Sequence, residues 1–237
     1  MYDIVFISYN EALADHNYKT LCERFPIAQR VQGVKGIHQA HIEAAKTSVT
    51  KMFWVVDADA QIVNDFNFDY DVDQYNLETV HVWQSRNPIN DLQYGYGGVK
   101  LLPKNLTLAL DTDTTDMTTS ISKNFKAIKQ VSNITAFNSD PFSAWKSAFR
   151  ECVKLSSKVI DRQEDKETEQ RLDVWCSKGA DRPYGDFAIE GISNISGAFS
   201  YGLSFDKTKK NYITRVLGKN PQDGKTALFV EEIFENM

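Results

Sequence analysis

Asp57 and Asp59 stand one residue apart at the end of the apolar run Met52-Phe53-Trp54-Val55-Val56. Residues two apart in a strand face the same side, so the two carboxylates can turn towards one ion or its water shell. Carboxylate oxygens are hard ligands. Mg2+ is commonly held by one or two of them, with phosphate oxygens and water completing its shell, and Mn2+ takes similar donors. Open α/β sheets bind ligands beyond the carboxyl ends of their strands. A buried strand ending in this pair would therefore present a phosphate-accepting cation site. The bland reading of the same residues is a solvated acidic turn after a buried strand.

The elements needed to hold such a pair are legible around it. Ile4-Val5-Phe6-Ile7 is a short apolar run closed by the polar Ser8-Tyr9-Asn10-Glu11, which predicts a buried strand entering a loop. Asp15 opens a first helix through Leu21 towards Phe25, stopped by Pro26. A second strand is expected over Ala28 to Val34, with the loop Gly33-Val34-Lys35-Gly36 at its end. Ile37, Ala40, His41, Ala44, Ala45 and Ser48 then recur at spacings of three and four, the mark of a helix with one small, mostly apolar face. Strand, helix, strand, helix, strand favours a parallel sheet covered by helices.

Beyond Asp59 the pattern is looser. Asn64 to Asp73 is acidic and aromatic and is expected to be irregular. Leu77 to Trp83 and Val99 to Pro103 are further strands, separated by turns at Asn87-Pro88 and Asn90-Asp91 and by Tyr94-Gly95-Tyr96-Gly97-Gly98. Asp111 to Ser122 is predicted as a polar loop. A helix follows Ser139-Asp140-Pro141, with Phe142, Trp145, Phe149, Cys152 and Val159 as its apolar stripe. Asp161 to Arg171 is charged, either a helix extension or a linker. Leu228 to Met237 is expected to form a short terminal helix. The chain is expected to be one α/β domain over residues 1–237, an ordered half over 1–103 followed by a loop-rich half over 104–237.

Composition sets outer limits. With 237 residues, 42% apolar and 25% charged, the chain can bury a substantial core. No run approaches the roughly 18 apolar residues of a membrane span. The opening Tyr2-Asp3-Ile4-Val5-Phe6-Ile7 has no basic region or cleavage site, so no signal peptide is expected and a cytoplasmic location is. Cys22, Cys152 and Cys176 are odd in number and widely spaced, which suits reduced thiols. The sequons at Asn105, Asn133 and Asn194 then read as chance. A net charge of −5 argues against a polyanion-binding protein as a whole. Dehydrogenase and P-loop fingerprints are missing after the first strand.

Residues 4–11 (IVFISYNE) resemble the opening strand and Tyr-Asn-Glu loop of glycosyltransferases with the GT-A fold, particularly family 2. Residues 36–60 resemble that family's next block, in which a glycine leads a small-residue helix, a hydrophobic strand and an Asp-Ala-Asp. The proline that family members often carry ahead of the Tyr-Asn-Glu is missing. The resemblance spans about the first 65 residues. It implies a GT-A, Rossmann-like, mostly parallel sheet flanked by helices. It also implies a nucleotide pocket lined by Ser8, Tyr9, Asn10, Glu11 and Lys35. Asp57 would lie near the ribose or metal, and Asp59 would ligate Mn2+ or Mg2+ directly. Tyr94, Gly95, Tyr96, Gly97 and Gly98 are similar to the aromatic-glycine loop that forms the sugar pocket of some GT-A galactosyltransferases. The acidic residues that follow that loop there are replaced here by Val99 and Lys100.

Inverting members of the fold carry an acidic residue at the start of a downstream helix, a place Asp140 occupies. As a general base it would contribute on the order of 10²–10⁴ in rate, although Asp is also a preferred helix cap. Glu151 and Asp186 are weaker candidates for the base. His16, His38, His41 and His81 all precede residue 82, so no C-terminal histidine can serve the metal. His38 and His41 read as surface or packing residues. Lys207, Lys209, Lys210, Arg215 and Lys219, interleaved with Phe205 and Tyr212, could track a phosphate backbone. Phage enzymes of this class glycosylate hydroxymethylated DNA bases, so modified DNA is a candidate acceptor and the host cytoplasm a candidate location. The expected activity is metal-dependent transfer of a sugar from a nucleoside diphosphate donor, a UDP-sugar in the first instance, to a hydroxyl. Two alternatives stay open at this stage. One is a non-catalytic module that binds a sugar nucleotide. The other is a haloacid-dehalogenase-like phosphatase with Asp57 as nucleophile.

Overall fold

A computed structural model describes residues 1–95, 97–112, 117–156 and 164–189. The chain divides into two compact units, Met1–Ala136 and a second starting at Phe137.

In the first unit the expected alternation is present: β1 (Asp3–Ser8), α1 (Ala14–Arg24), β2 (Gln29–Gln32), α2 (Ile37–Thr47) and β3 (Met52–Asp57). There follow β4 (Ala60–Ile62), β5 (Val80–Arg86), β6 (Gln93–Tyr94), β7 (Val99–Pro103), α3 (Lys104–Leu108), α4 (Met117–Ile121) and β8 (Phe125–Thr135). The strands lie in one sheet in the order β2-β1-β3-β7-β5-β8-β4, with β6 paired to β5. Strands β1, β2, β3, β5 and β8 run one way, and β4, β6 and β7 run the other. This is a mostly parallel, Rossmann-like α/β sheet.

The core explains why β1 and β3 are apolar along their whole length. Helices cover both faces, so alternate side chains are buried on opposite sides. Ile4, Phe6, Trp54 and Val56 pack with Ala14 and Leu21 of α1. Val5, Ile7, Phe53 and Val55 pack with Ala40, Ala44 and Ala45 of α2, whose small face lets the helix lie close. Gly36 precedes α2 with φ +93° and nothing near its missing Cβ, so it is the backbone angle that calls for glycine there. Asp3 fastens the start of β1 to the turn before β3. Its Oδ2 accepts from the amides of Val49 and Thr50 and from the hydroxyls of Ser48 and Thr50.

The structure differs from the sequence expectations in several elements. The segment over Asn64 to Asp73 is irregular, as expected, but not loose. Phe66 and Phe68 stack edge-on against Trp54, and Arg24 donates to the carbonyls of Val63, Asn64 and Phe66. The predicted loop Asp111 to Ser122 contains α4, anchored by buried Met117 and Ile121. Strands β4 and β8 had no distinct sequence signal. β8 is exposed over much of its length, so it lacks the apolar alternation that marks a half-buried strand.

In the second unit α5 (Pro141–Ser156) and α6 (Asp165–Ser177) pack together. Glu151 Oε1 accepts from Arg171 Nη2 at 2.6 Å, and Trp175 is fully buried near Phe137. The basic stretch Lys207–Lys219 and the expected helix Leu228–Met237 lie outside the described residues. Among the described residues no helix is long and apolar enough to cross a membrane.

Candidate active site

The Asp57-Ala58-Asp59 turn is held from three directions. The Asp57 amide donates to the Gly98 carbonyl at 2.9 Å, and the Ala136 amide donates to the Asp59 carbonyl at 2.7 Å. Between them, Asn17 Nδ2 of α1 reaches the Ala58 carbonyl at 2.8 Å. The turn is therefore a preorganised part of the fold, unlike a solvated acidic loop.

The register brings the other predicted residues to the same end of the sheet. Ile7 pairs with Asp57, so Ser8-Tyr9-Asn10-Glu11 leaves β1 beside the carboxylates. Ser8 pairs with Gln32, which puts the loop carrying exposed Lys35 on the neighbouring strand at that end. Strand β7 runs antiparallel, so Gly97 and Gly98 enter it from the same end. Within the loop after β1, Glu11 Oε2 accepts from the Tyr9 amide at 2.7 Å, while Tyr9 and Asn10 stay exposed. Ser8 is buried and its Oγ accepts from Arg30 Nε at 2.8 Å.

Sequence reasoning noted Lys100 only as a replacement for a missing acid. In the fold it is the cation of the site. Its Nζ lies 2.8 Å from both Asp57 oxygens, with the lysine side chain 5% exposed and that of Asp57 30%. Burial pushes the Asp57 carboxyl above its ordinary range, and Lys100 opposes that. Among the described residues no cation hydrogen-bonds to Asp59, which Lys100 reaches only through its charge. Burial first, and the Asp57 charge second, push its carboxyl up to about 7. Glu11 adds to the negative potential at both aspartates. No signal in the sequence alone could have paired Lys100 with Asp57, since 43 residues separate them.

Gly97 and Gly98 of the Tyr-Gly-Tyr-Gly-Gly segment have a packing reason. Gly97 has φ +77°, and a Cβ there would meet Lys100 Cε at 3.3 Å. A Cβ on Gly98 would come within 2.7 Å of Asn133 Nδ2. Asn133 is fully buried and accepts from the hydroxyls of Ser85 and Ser132, each at 2.9 Å, so it cannot retreat. Its burial also removes the Asn133 sequon as a glycan acceptor. Tyr94 is buried and Gly95 exposed, while Tyr96 lies outside the described residues.

His41 is a packing residue, as expected. It is fully buried on α2, Nδ1 donates to the Ile37 carbonyl at 2.8 Å, and burial followed by the nearby Lys100 charge lowers it to about 3. Asp140, in the second unit, caps α5. Its Oδ1 accepts from the Ser143 amide at 2.9 Å, and its Oδ2 from the hydroxyls of Ser143 and Ser139. These bonds, led by the Ser143 hydroxyl, hold the carboxyl below its usual range. Glu151 is committed to Arg171, and Asp186 is exposed.

Among the described residues no three His, Cys, Asp or Glu side chains gather as a ready-made metal centre. The donor chemistry nevertheless fits a divalent ion that shares its shell with phosphate. Asp59 is a partly buried carboxylate whose charge Lys100 offsets only in part, and Asp57 and Glu11 keep its surroundings negative. A cation relieves that imbalance.

No protein-family model matches the chain, and no curated protein matches it in sequence. Among solved structures it is similar to HddC from Yersinia pseudotuberculosis, at 13% identity and TM-score 0.32, covering 56% of this chain and 70% of that one. It is similar also to a glycosyltransferase involved in the glycosylation of the major capsid of PBCV-1, at 12% identity and TM-score 0.35, over 54% and 82%. The mannosyltransferase PcManGT from Pyrobaculum calidifontis, in complex with GDP-Man and Mn2+, aligns at 12% identity and TM-score 0.39, over 98% and 85%. With likeness this distant, the function has to be read from the chain's own residues.

Proposed function

We propose that this chain is a glycosyltransferase that moves a sugar from a nucleoside diphosphate donor, UDP-linked in the first instance, to an acceptor hydroxyl. The observation that carries the reading is one edge of one sheet. The Ser8–Glu11 loop, the fixed Asp57-Ala58-Asp59 turn and the glycine segment before β7 all open at the carboxyl ends of β1 and β3, where such sheets bind nucleotides.

In this reading Ser8, Tyr9, Asn10 and Glu11 hold the base and ribose, with Lys35 reaching base or phosphate. Asp57 orients the ribose side, and Asp59 holds Mn2+ or Mg2+. When bound, the metal supplies positive charge to the leaving diphosphate. Tyr94 to Gly98 shape the sugar pocket. Asp140 takes the proton from the acceptor hydroxyl, which makes the displacement direct and inverting. A hydroxymethylated DNA base is the acceptor proposed for the basic stretch Lys207–Lys219.

A thermal-shift panel of nucleotide sugars, each with and without Mn2+, tests the donor side. Stabilisation should need both components and disappear in Asp59→Ala. Failure of every nucleotide sugar to stabilise the protein sinks the reading. Incorporation of labelled sugar into hydroxymethylated DNA, against unmodified DNA, tests the acceptor.

A further inference from the structure

Lys100 is a buried cation at the site to which the donor reading gives no role. It leaves β7 opposite Val55, one pair before the β3–β7 register ends at Val56 and Val99. Its stem runs under Gly97, whose left-handed backbone and missing Cβ make room for Cε. Its ammonium then meets both oxygens of Asp57 and neither of Asp59. The two aspartates, equivalent in the sequence, are thereby made different in the fold.

We propose that Lys100 is a resident counter-ion that takes Asp57 out of metal ligation. The divalent ion is then held by Asp59 together with the donor's diphosphate, and binds tightly only in the donor's company. The inference rests on the glycosyl-transfer reading above. Its physical basis is charge and coordination. A carboxylate bonded through both oxygens to an ammonium has lost most of its pull on a second cation, and the ammonium repels an ion placed beside it. One remaining carboxylate is a poor site for a hard cation in water, because the rest of the shell must come from water or phosphate. Phosphate oxygens complete the shell, so ion and donor enter as a pair. Lys100 acts through Asp57 and is a positioning residue in this scheme.

Mn2+ binding is the readout, measured by calorimetry and by the electron paramagnetic resonance of free Mn2+, with UDP and GDP as probes. In the unmodified protein, Mn2+ affinity should rise by about a hundredfold or more when the nucleotide is present. Lys100→Met should raise the affinity for Mn2+ alone by about tenfold, because Asp57 becomes a free ligand. That variant leaves a carboxylate unpaired, which destabilises the fold, so the double variant K100M/D57N removes the pair as a unit, a change that folds generally tolerate. Asp57 also faces the ribose in the donor reading, so the variants are compared at saturating nucleotide. There K100M/D57N should still bind Mn2+ at least about tenfold more tightly than it does without nucleotide, while Asp59→Asn loses that gain. The proposal is overturned if the unmodified protein binds Mn2+ equally well without nucleotide, or if K100M/D57N loses Mn2+ as Asp59→Asn does. Nucleotide binding that ignores Mn2+ overturns it too, but leaves the donor reading standing. No binding of either nucleotide under any condition removes the donor reading itself.

Discussion

Asp140 allows catalysis and stability to be separated at a single residue. As the cap of α5 it accepts from Ser143 and Ser139, and Asn caps a helix about as well as Asp. Asp140→Asn keeps an acceptor for the Ser143 amide but loses the one for the two hydroxyls, so it should lower stability only modestly, by about 1 kcal/mol in urea titration. If the carboxylate is the base, sugar transfer falls by about 10²–10⁴. Unchanged turnover in a stable variant would return Asp140 to a purely structural role. The low carboxyl pKa keeps it ionised at neutral pH, as a proton acceptor must be, although it is a weaker base for it.

At the scale of elements, the site depends on contacts that bring separate pieces of chain to one turn. Asn17 of α1 is buried and is the side chain that holds the Ala58 carbonyl. Asn17→Ala leaves that carbonyl without its donor, at a cost of about 1–3 kcal/mol. The same change should weaken donor binding, since the two flanking carboxylates lose their fixed spacing. Denaturant titration and the KM for donor check the two effects. Gly98→Ala should cost about 1–3 kcal/mol by crowding, because Asn133 is pinned by two hydroxyls and cannot move aside. Pairing it with Asn133→Ala should recover part of that loss, by opening the space the new methyl needs. Such a recovery, measured as a double-mutant cycle, would show the clash to be the cause.

Across the whole molecule, buried His41 should shape the pH dependence of stability. Its folded pKa of about 3 lies below its ordinary 6.5. Between those values the unfolded chain binds a proton that the folded chain refuses, so the contribution of His41 to stability falls as pH drops from about 6.5 towards 3, while Asp59, raised to about 7, contributes in the opposite direction below that pH. Asp3, held below its ordinary 3.8 by hydrogen bonds that outweigh its burial, adds a loss that sets in as pH falls through about 3.8. Unfolding free energies of the unmodified protein and His41→Leu, measured from pH 7 to pH 4, isolate the histidine, since the other titrating groups are common to both. The difference between them should change with pH across that window. A constant difference would mean that His41 titrates normally in the fold.

The amino-acid sequence by itself determined the layered α/β plan of the first hundred residues. There the apolar runs of β1 and β3 and the small face of α2 are periodic, and each period reports a local geometry. It also placed Asp57 and Asp59 at a strand end, because a buried run must stop where the charges begin. Only the tertiary structure decided which aspartate is neutralised, which carbonyl Asn17 holds, and why Gly98 has no side chain. Those are contacts between β3, β7, β8 and α1, set by strand order and register. Pairing of that kind leaves no period in a single chain. Lys100 shows the limit most clearly: in the sequence it stands where an acid was expected, and in the fold it is the cation bonded to both oxygens of Asp57.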